Sequence, residues 1–291
     1  MNIGTAPREK VAGLLRLFRF ELPFAAGVCV VLGSLLALGQ LPTMAELALG
    51  FFSVFFISAA ALILNDYFDI ESDRINAPER PLPAGLVTER EVVWLALGVT
   101  LLGLSLSYLL GLAVLLIATV VWIVGFLYNW RFKRTGLPGN LMVSFSVGMT
   151  FIYGGVVVGQ PFVPIVWFFA VLALLINLGE EIAADAMDVA GDRQAHSRSL
   201  AIRLGSENAL RISGLIFRGV VVISILPFVF GWLNWVYFWP ILLMDGVILY
   251  ATARLLDAGL AHRRIYIRWI YLSATAALLV IILMELFRGS V

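Results

Sequence analysis

From its amino terminus the chain alternates long apolar runs with short polar connections, and the runs exceed what a soluble helical core requires. Crossing a hydrocarbon layer of about 30 Å takes roughly 20 residues of helix. Runs of that length occur at about 14–38, 45–66, 91–109, 112–130, 140–158, 164–187, 208–230, 236–254 and 268–287. The pattern predicts an all-α membrane protein of nine transmembrane helices, with Gly111 as the seam between the third and fourth. The composition, 61% hydrophobic and 13% charged over 291 residues, leaves too little polar surface for a water-soluble globule.

Charge then gives the helices a direction, because Lys and Arg gather on the cytoplasmic side of short loops. Arg8, Lys10, Arg16 and Arg19 precede the first span. Arg74, Arg80 and Arg90 follow the second, Arg131, Lys133 and Arg134 the fourth, and Arg193, Arg198 and Arg203 the sixth. Arg254, Arg263, Arg264 and Arg268 surround the eighth connection, whereas the turns at Gln40, Gly111, Gln160 and Asn234 carry no positive charge. The alternation predicts a cell-membrane protein with its N-terminus inside and its C-terminus outside. A net charge of +1, dispersed in this way, makes no nucleic-acid surface. Cys29 stands alone, so it forms no intrachain disulfide and reads as a small core hydrophobe. No small-residue cleavage site follows the first apolar run, so that run is expected to stay as a span.

Two polar strings break this pattern. Asp66, Asp69, Asp73 and Arg74 end the second span, and Asp185, Asp188, Asp192 and Arg193 end the sixth with the same spacing. On one continuous helix, carboxylates at i, i+3 and i+7 fall within an arc of about 60°. Such like charges need a neutralising cation, and carboxylate oxygens suit Mg2+, which completes its shell with waters and phosphate oxygens. The spacing therefore points to a diphosphate substrate. Four spans separate the strings, so both emerge on the cytoplasmic face. Residues 1–291 thus read as a single domain with an internal parallel repeat, its motifs at 65–74 and 185–193.

The string from Asn65 to Asn76, followed by Arg80-Pro-Leu-Pro-Ala-Gly85, resembles the first motif of the UbiA superfamily of intramembrane prenyltransferases. The second string, running on to Ser199-Leu-Ala-Ile202, resembles that family's second motif. The resemblance implies nine helices around a central cavity, capped by cytoplasmic loops. It implies Mg2+ held by Asn65, Asp69, Asp73, Asp185, Asp188 and Asp192, with Tyr128 and Lys133 matching a Y-x4-K pair that contacts the diphosphate. Asp66 and Arg74 join the expected substrate contacts. His196 stands where the family commonly has a small residue, which implies a different loop backbone there.

Chemistry follows from those parts. Cations neutralise the departing diphosphate, and the allylic cation left behind is shielded from water and steadied by aromatic faces. Tyr67, Phe68, Trp122 and Tyr153 are the aromatic candidates, and Asp69, Asp73, Asp188 and Asp192 the catalytic carboxylates, with Glu181 as a base or a shaper of the acceptor site. The wording of both motifs is most similar to the digeranylgeranylglyceryl phosphate synthase group. That similarity implies geranylgeranyl transfer to geranylgeranylglyceryl phosphate, a lipid-like acceptor whose phosphate Arg16 and Arg19 would hold. An aromatic acceptor for quinone or chlorophyll synthesis is the alternative. A cation transporter and a prenyl diphosphate hydrolase are rivals of other classes. Asp245, Arg218 and Glu285 read as polar contacts between helices, and Gly155-x3-Gly159 as a close-packing pair.

Overall fold

The computed structural model describes residues 7–194, 196–257 and 260–288, and among them the chain is helical with no strand. In chain order the helices are α1 Pro7–Arg16, α2 Glu21–Leu38, α3 Met44–Phe68, α4 Ile70–Asn76, α5 Glu89–Leu109, α6 Leu112–Leu127 and α7 Leu137–Val157. They continue with α8 Pro164–Met187, α9 Val189–Gln194, α10 Leu200–Leu204, α11 Ser206–Ile223, α12 Leu226–Val229, α13 Phe238–Asp257 and α14 Leu260–Arg288. Nine helices among the described residues are long and apolar enough to cross a membrane. The chain is an integral membrane protein.

Local chemistry sets the boundaries. Thr43 with Glu46, and Thr88 with Glu91, form reciprocal capping boxes that satisfy the first amides of α3 and α5. Pro138 and Pro164 lie in the first turns of α7 and α8, where a missing N–H costs nothing. The seam at Gly111 is a true break, with φ 122.

The spans pack in chain order. Each of α2, α3, α5, α6, α7, α8, α11, α13 and α14 touches the next, and α14 returns to α2. A further contact, α2 against α7, crosses the ring. It is made by small residues at the ends of these helices away from the acidic motifs. A Cβ on Gly33 would lie 2.5 Å from the Phe151 carbonyl oxygen, and one on Gly154 2.3 Å from that of Val30. The Ser34 hydroxyl seals the approach by donating to the Gly154 carbonyl at 2.9 Å. The ring is thus pinched at the end away from the acidic motifs.

The sequence expectations need four corrections. The first apolar run is not one helix, because tight turns at Leu17, Phe18 and Arg19 separate α1 from α2, with Arg19 at φ 45. Gly155 and Gly159 do not pair helices: Gly159 forms the turn after α7 and Gly154 makes the close approach. Arg218 lies on the exposed face of α11, whereas Asp245 does bond across helices to Ser224 at 2.6 Å and Glu285 to Tyr237. Finally, neither acidic triplet sits on an unbroken helix. α3 ends at Phe68 and α8 at Met187, so the middle aspartates, Asp69 and Asp188, are hinge residues with φ, ψ of −94, 2 and −104, 15.

Candidate active site

The hinge at Asp69 turns α4 away from the axis of α3, and the hinge at Asp188 turns α9 away from α8, until α4 and α9 touch. The i to i−4 bonds survive on either side, Asp69 to Asn65 and Asp73 to Asp69, then Asp188 to Ala184 and Asp192 to Asp188. Each triplet therefore keeps the rise of a helix while bending across the end of the bundle. The two kinks bring both acidic strings to one place.

Opposite them, the fourth span ends in an unusual way. After Leu127 the helix widens into a π turn over Tyr128–Phe132 and then tightens over Lys133–Thr135. Such wide turns recur at functional sites because they re-aim side chains without ending the helix. Here Asn129 turns inward, donating to the Ala61 carbonyl at 2.9 Å and accepting from Asn65 at 2.9 Å. Lys133 reaches Asp69. In the other orientation of its amide, Asn65 bridges Asp69 at 3.1 Å and Lys133 at 2.8 Å. Tyr128, half-buried, lies in the field of Glu181, Asp185, Asp69 and Asp192. Gly136 closes the segment at φ 76, where a Cβ would be 2.2 Å from the Arg198 carbonyl oxygen. Together with the Arg198 amide donating to Arg134 at 2.9 Å, this clamps the loop after the second motif onto the fourth span.

Every carboxylate of the first motif meets a cation. Asp66, only 2% exposed, pairs with Arg19, and Arg80 stands 3.7 Å away. Arg80 also binds Asp73 at 2.5 Å, and Asp69 pairs with Lys133. Burial opposes the charge of Arg80, but the hydrogen bond and charge of Asp73 outweigh it and raise its pKa. The second motif is held differently. Asp185 accepts from the neutral Asn140 amide at 2.9 Å, and Asp188 pairs with Arg264. Asp192 keeps a buried oxygen, Oδ2, with no hydrogen-bond partner among the described residues. Burial raises its pKa against the opposing hydroxyl of Ser199. Glu180 likewise keeps a buried, unpartnered Oε1.

The structure thus brings together Asn65, Asp66, Asp69, Asp73, Tyr128, Lys133 and Arg19, and sets Asp185, Asp188, Asp192 and Glu181 across from them. Arg74 is not among them, because it pairs with Glu71 at 3.1 Å on the exposed side of α4. Arg16 donates to the Glu79 carbonyl at 3.1 Å, and Arg19 pairs with Asp66 in the first motif. Tyr153 is buried, bonded to Ser53 at 2.7 Å and Ser107 at 2.9 Å. It lies 13 residues, about 20 Å of helix, from Asn140. A reacting carbon beside the acidic strings is out of its reach. Tyr67 and Phe68 remain candidates, since Phe68 joins an aromatic ladder through Phe126, 5.9 Å away, to Trp122. His196 adopts φ 55, the backbone region that glycine favours, so the loop keeps a glycine-like turn without a glycine.

Arg80, Asn129, Asn140 and Arg264 carry contacts that the sequence reading did not single out. Only Arg80 had a signal, as the first residue of its R-P-x-P string.

Among the described residues no three carboxylates converge on one point, since cations and amides hold them apart. The donor set still suits Mg2+. It is oxygen-only, it comes from two facing motifs, and it includes a buried carboxylate oxygen with nothing bound to it.

Comparison with known proteins gives this arrangement its lineage. Residues 26–264 match the profile of the UbiA prenyltransferase family. A digeranylgeranylglyceryl phosphate synthase of Thermococcus gammatolerans is 37% identical over 241 residues, covering 82% of this chain and 86% of that protein. A solved structure concerned with digeranylgeranylglyceryl phosphate synthase in membranes superposes with TM-score 0.73 at 29% identity, over 95% of this chain and 99% of the other. A UbiA homologue of Archaeoglobus fulgidus, solved with GPP and Mg2+, superposes with TM-score 0.69 at 20% identity over 96% and 100%. The family match over most of the chain, with relatives of this identity and coverage, shows that the chain belongs to the UbiA prenyltransferases.

Proposed function

We propose that this prenyltransferase moves a geranylgeranyl group from its diphosphate to the free hydroxyl of geranylgeranylglyceryl phosphate, an ether-lipid precursor. The observation that carries the acceptor is the 37% identity, over most of both chains, to a protein named for that reaction. The two halves read as a parallel internal repeat in one domain, supported by hinges of nearly equal backbone angles at Asp69 and Asp188. The motif end faces the cytoplasm, which puts the N-terminus inside and the C-terminus outside.

Asn65, Asp69 and Asp73 on one side, and Asp185, Asp188 and Asp192 on the other, would hold Mg2+. The metal in the fold neighbour solved with GPP supports this assignment. Bound there, Mg2+ supplies Lewis-acid neutralisation of the leaving diphosphate. Lys133 and Arg80, already lined up against the first motif, bring fixed positive charge to the same oxygens, and Tyr128 offers them a hydroxyl donor. Asp66 anchors Arg19 and Arg80 beside the diphosphate site. Phe68 and its aromatic neighbours exclude water from the carbon that loses diphosphate. The hydroxyl proton passes to the Glu180 and Glu181 pair.

Incubation with geranylgeranyl diphosphate and Mg2+ tests the reading. Product is expected with the glycerophosphate acceptor; prenylation of 4-hydroxybenzoate or a chlorophyllide instead would move the acceptor class. Release of diphosphate without any acceptor would point to a hydrolase. Orientation is checked with single cysteines at Arg80, Arg198 and Gln160 in a Cys29→Ala background. The first two should react with reagent only from the cytoplasmic side, and the third only from outside.

A further inference from the structure

One edge of α14 carries polar side chains where a span facing lipid would not. Arg264, Arg268 and Tyr271 recur at i, i+4 and i+7, which stacks them on one stripe. The stripe lies against α2 and α8. Arg264 pairs with Asp188 at the end of α8, Arg268 with Glu21 at 3.2 Å at the start of α2, and the Tyr271 hydroxyl donates to the Glu21 carbonyl at 3.0 Å. Both arginine side chains stay exposed, at 66% and 64%, so their present partners occupy only part of each five-donor guanidinium.

Depth completes the picture. α14 runs antiparallel to α8, and at 1.5 Å per residue Tyr271 lies about 10 Å beyond Arg264 while Glu180 lies about 12 Å beyond Asp188. The two reach the same level, and the charge of Glu180 is felt at the Tyr271 hydroxyl. Glu180 presents the buried, unpartnered oxygen described above. The seam between these helices therefore has two cationic forks at its end and a carboxylate oxygen without a donor one to two turns deeper.

We infer that the acceptor binds along this seam between α2, α8 and α14, where Arg264 and Arg268 grip its phosphate monoester and Glu180 holds its free hydroxyl. The inference rests on the proposed transfer to a glycerophosphate and names the residues that read it. Planar guanidinium forks match phosphate oxygens in pairs, and a three-carbon glycerol spans the step from Arg268 to the level of Glu180. In the reaction the hydroxyl oxygen bonds to the prenyl C1, and the bond from C1 to diphosphate oxygen breaks with its electron pair leaving on diphosphate. The hydroxyl proton goes to the Glu180 carboxylate.

The test uses the full chain in nanodiscs of fixed lipid composition, with geranylgeranyl diphosphate and Mg2+, and compares geranylgeranylglyceryl phosphate with geranylgeranylglycerol, which lacks the phosphate. Arg268→Ala should raise KM for the phosphorylated acceptor roughly tenfold, the loss of one charge-assisted contact, while KM for the diphosphate stays put. It should also erase the preference for the phosphorylated acceptor, and Arg268→Lys should restore part of it. Arg264→Ala should act in the same direction. Glu180→Gln should lower kcat about 100-fold with little change in either KM. An unchanged acceptor KM in Arg268→Ala, or an equal rise for both substrates, overturns the inference and leaves the arginines as membrane-surface charges. Absence of turnover of the glycerophosphate by the unaltered protein would instead overturn the proposed reaction itself.

Discussion

The first and second acidic motifs share a spacing and a hinge, yet their surroundings differ. Asp66, Asp69 and Asp73 end on Arg19, Lys133 and Arg80, drawn from three separate segments. Asp185 ends on a neutral amide and Asp192 leaves an oxygen bare; only Asp188 meets a cation, and that pair is largely exposed. Identical spacing therefore does not carry identical electrostatics. The first motif is neutralised from within the protein, whereas the second is left with fewer cations around it.

The largest effect that sharpens this contrast comes from removing one charge. Asp188→Asn and Asp69→Asn should each lower turnover by at least about 100-fold, with the fold intact by thermal melting. Mg2+ titration of substrate binding should suffer more in Asp188→Asn than in Asp66→Asn. Equal metal dependence would erase the distinction between the motifs.

Next is the cost of stranding a buried acid. Arg19→Leu leaves Asp66 with only the more distant Arg80, and should cost about 2 to 3 kcal/mol, below the full price of an orphaned buried charge. Asn140→Leu, the corresponding loss at Asp185, should cost about 1 kcal/mol, because a neutral partner is lost. Chemical unfolding of both variants reads the difference, and equal losses would break the comparison.

Smaller still, Lys133→Ala should raise KM for the diphosphate about tenfold, the weight of one charge-assisted contact, and leave the acceptor KM alone. A rise confined to the acceptor would move Lys133 out of the diphosphate site. Tyr153→Phe should cost only about 1 kcal/mol of stability with normal turnover. Loss of turnover without loss of stability would return Tyr153 to the reaction.

What could be read in advance was local or periodic. Nine apolar runs, the repeated Asp spacing and the Y-x4-K pair each lie within one short stretch of sequence. What could not be read depended on distant partners or small backbone departures. Asp73 meets Arg80 within its own loop, but Asp66 meets Arg19 from 47 residues away and Asp188 meets Arg264 from 76 residues away. No pattern of hydrophobic positions encodes such pairings. The π turn at Tyr128 and the hinges at Asp69 and Asp188 shift a helix by a fraction of a turn, too little to disturb its periodicity. Tyr153 misled because an aromatic residue announces its bulk and not its depth.

The break between α1 and α2 has a practical corollary for anyone shortening the protein. A chain begun at Glu21 would retain every membrane crossing and all six metal-ligand candidates, and insertion assays would score it as complete. It would nevertheless lack the nearer of the two guanidinium groups that reach Asp66. The shortest polypeptide that crosses the bilayer nine times is thus shorter than the one that keeps both cations on its first aspartate.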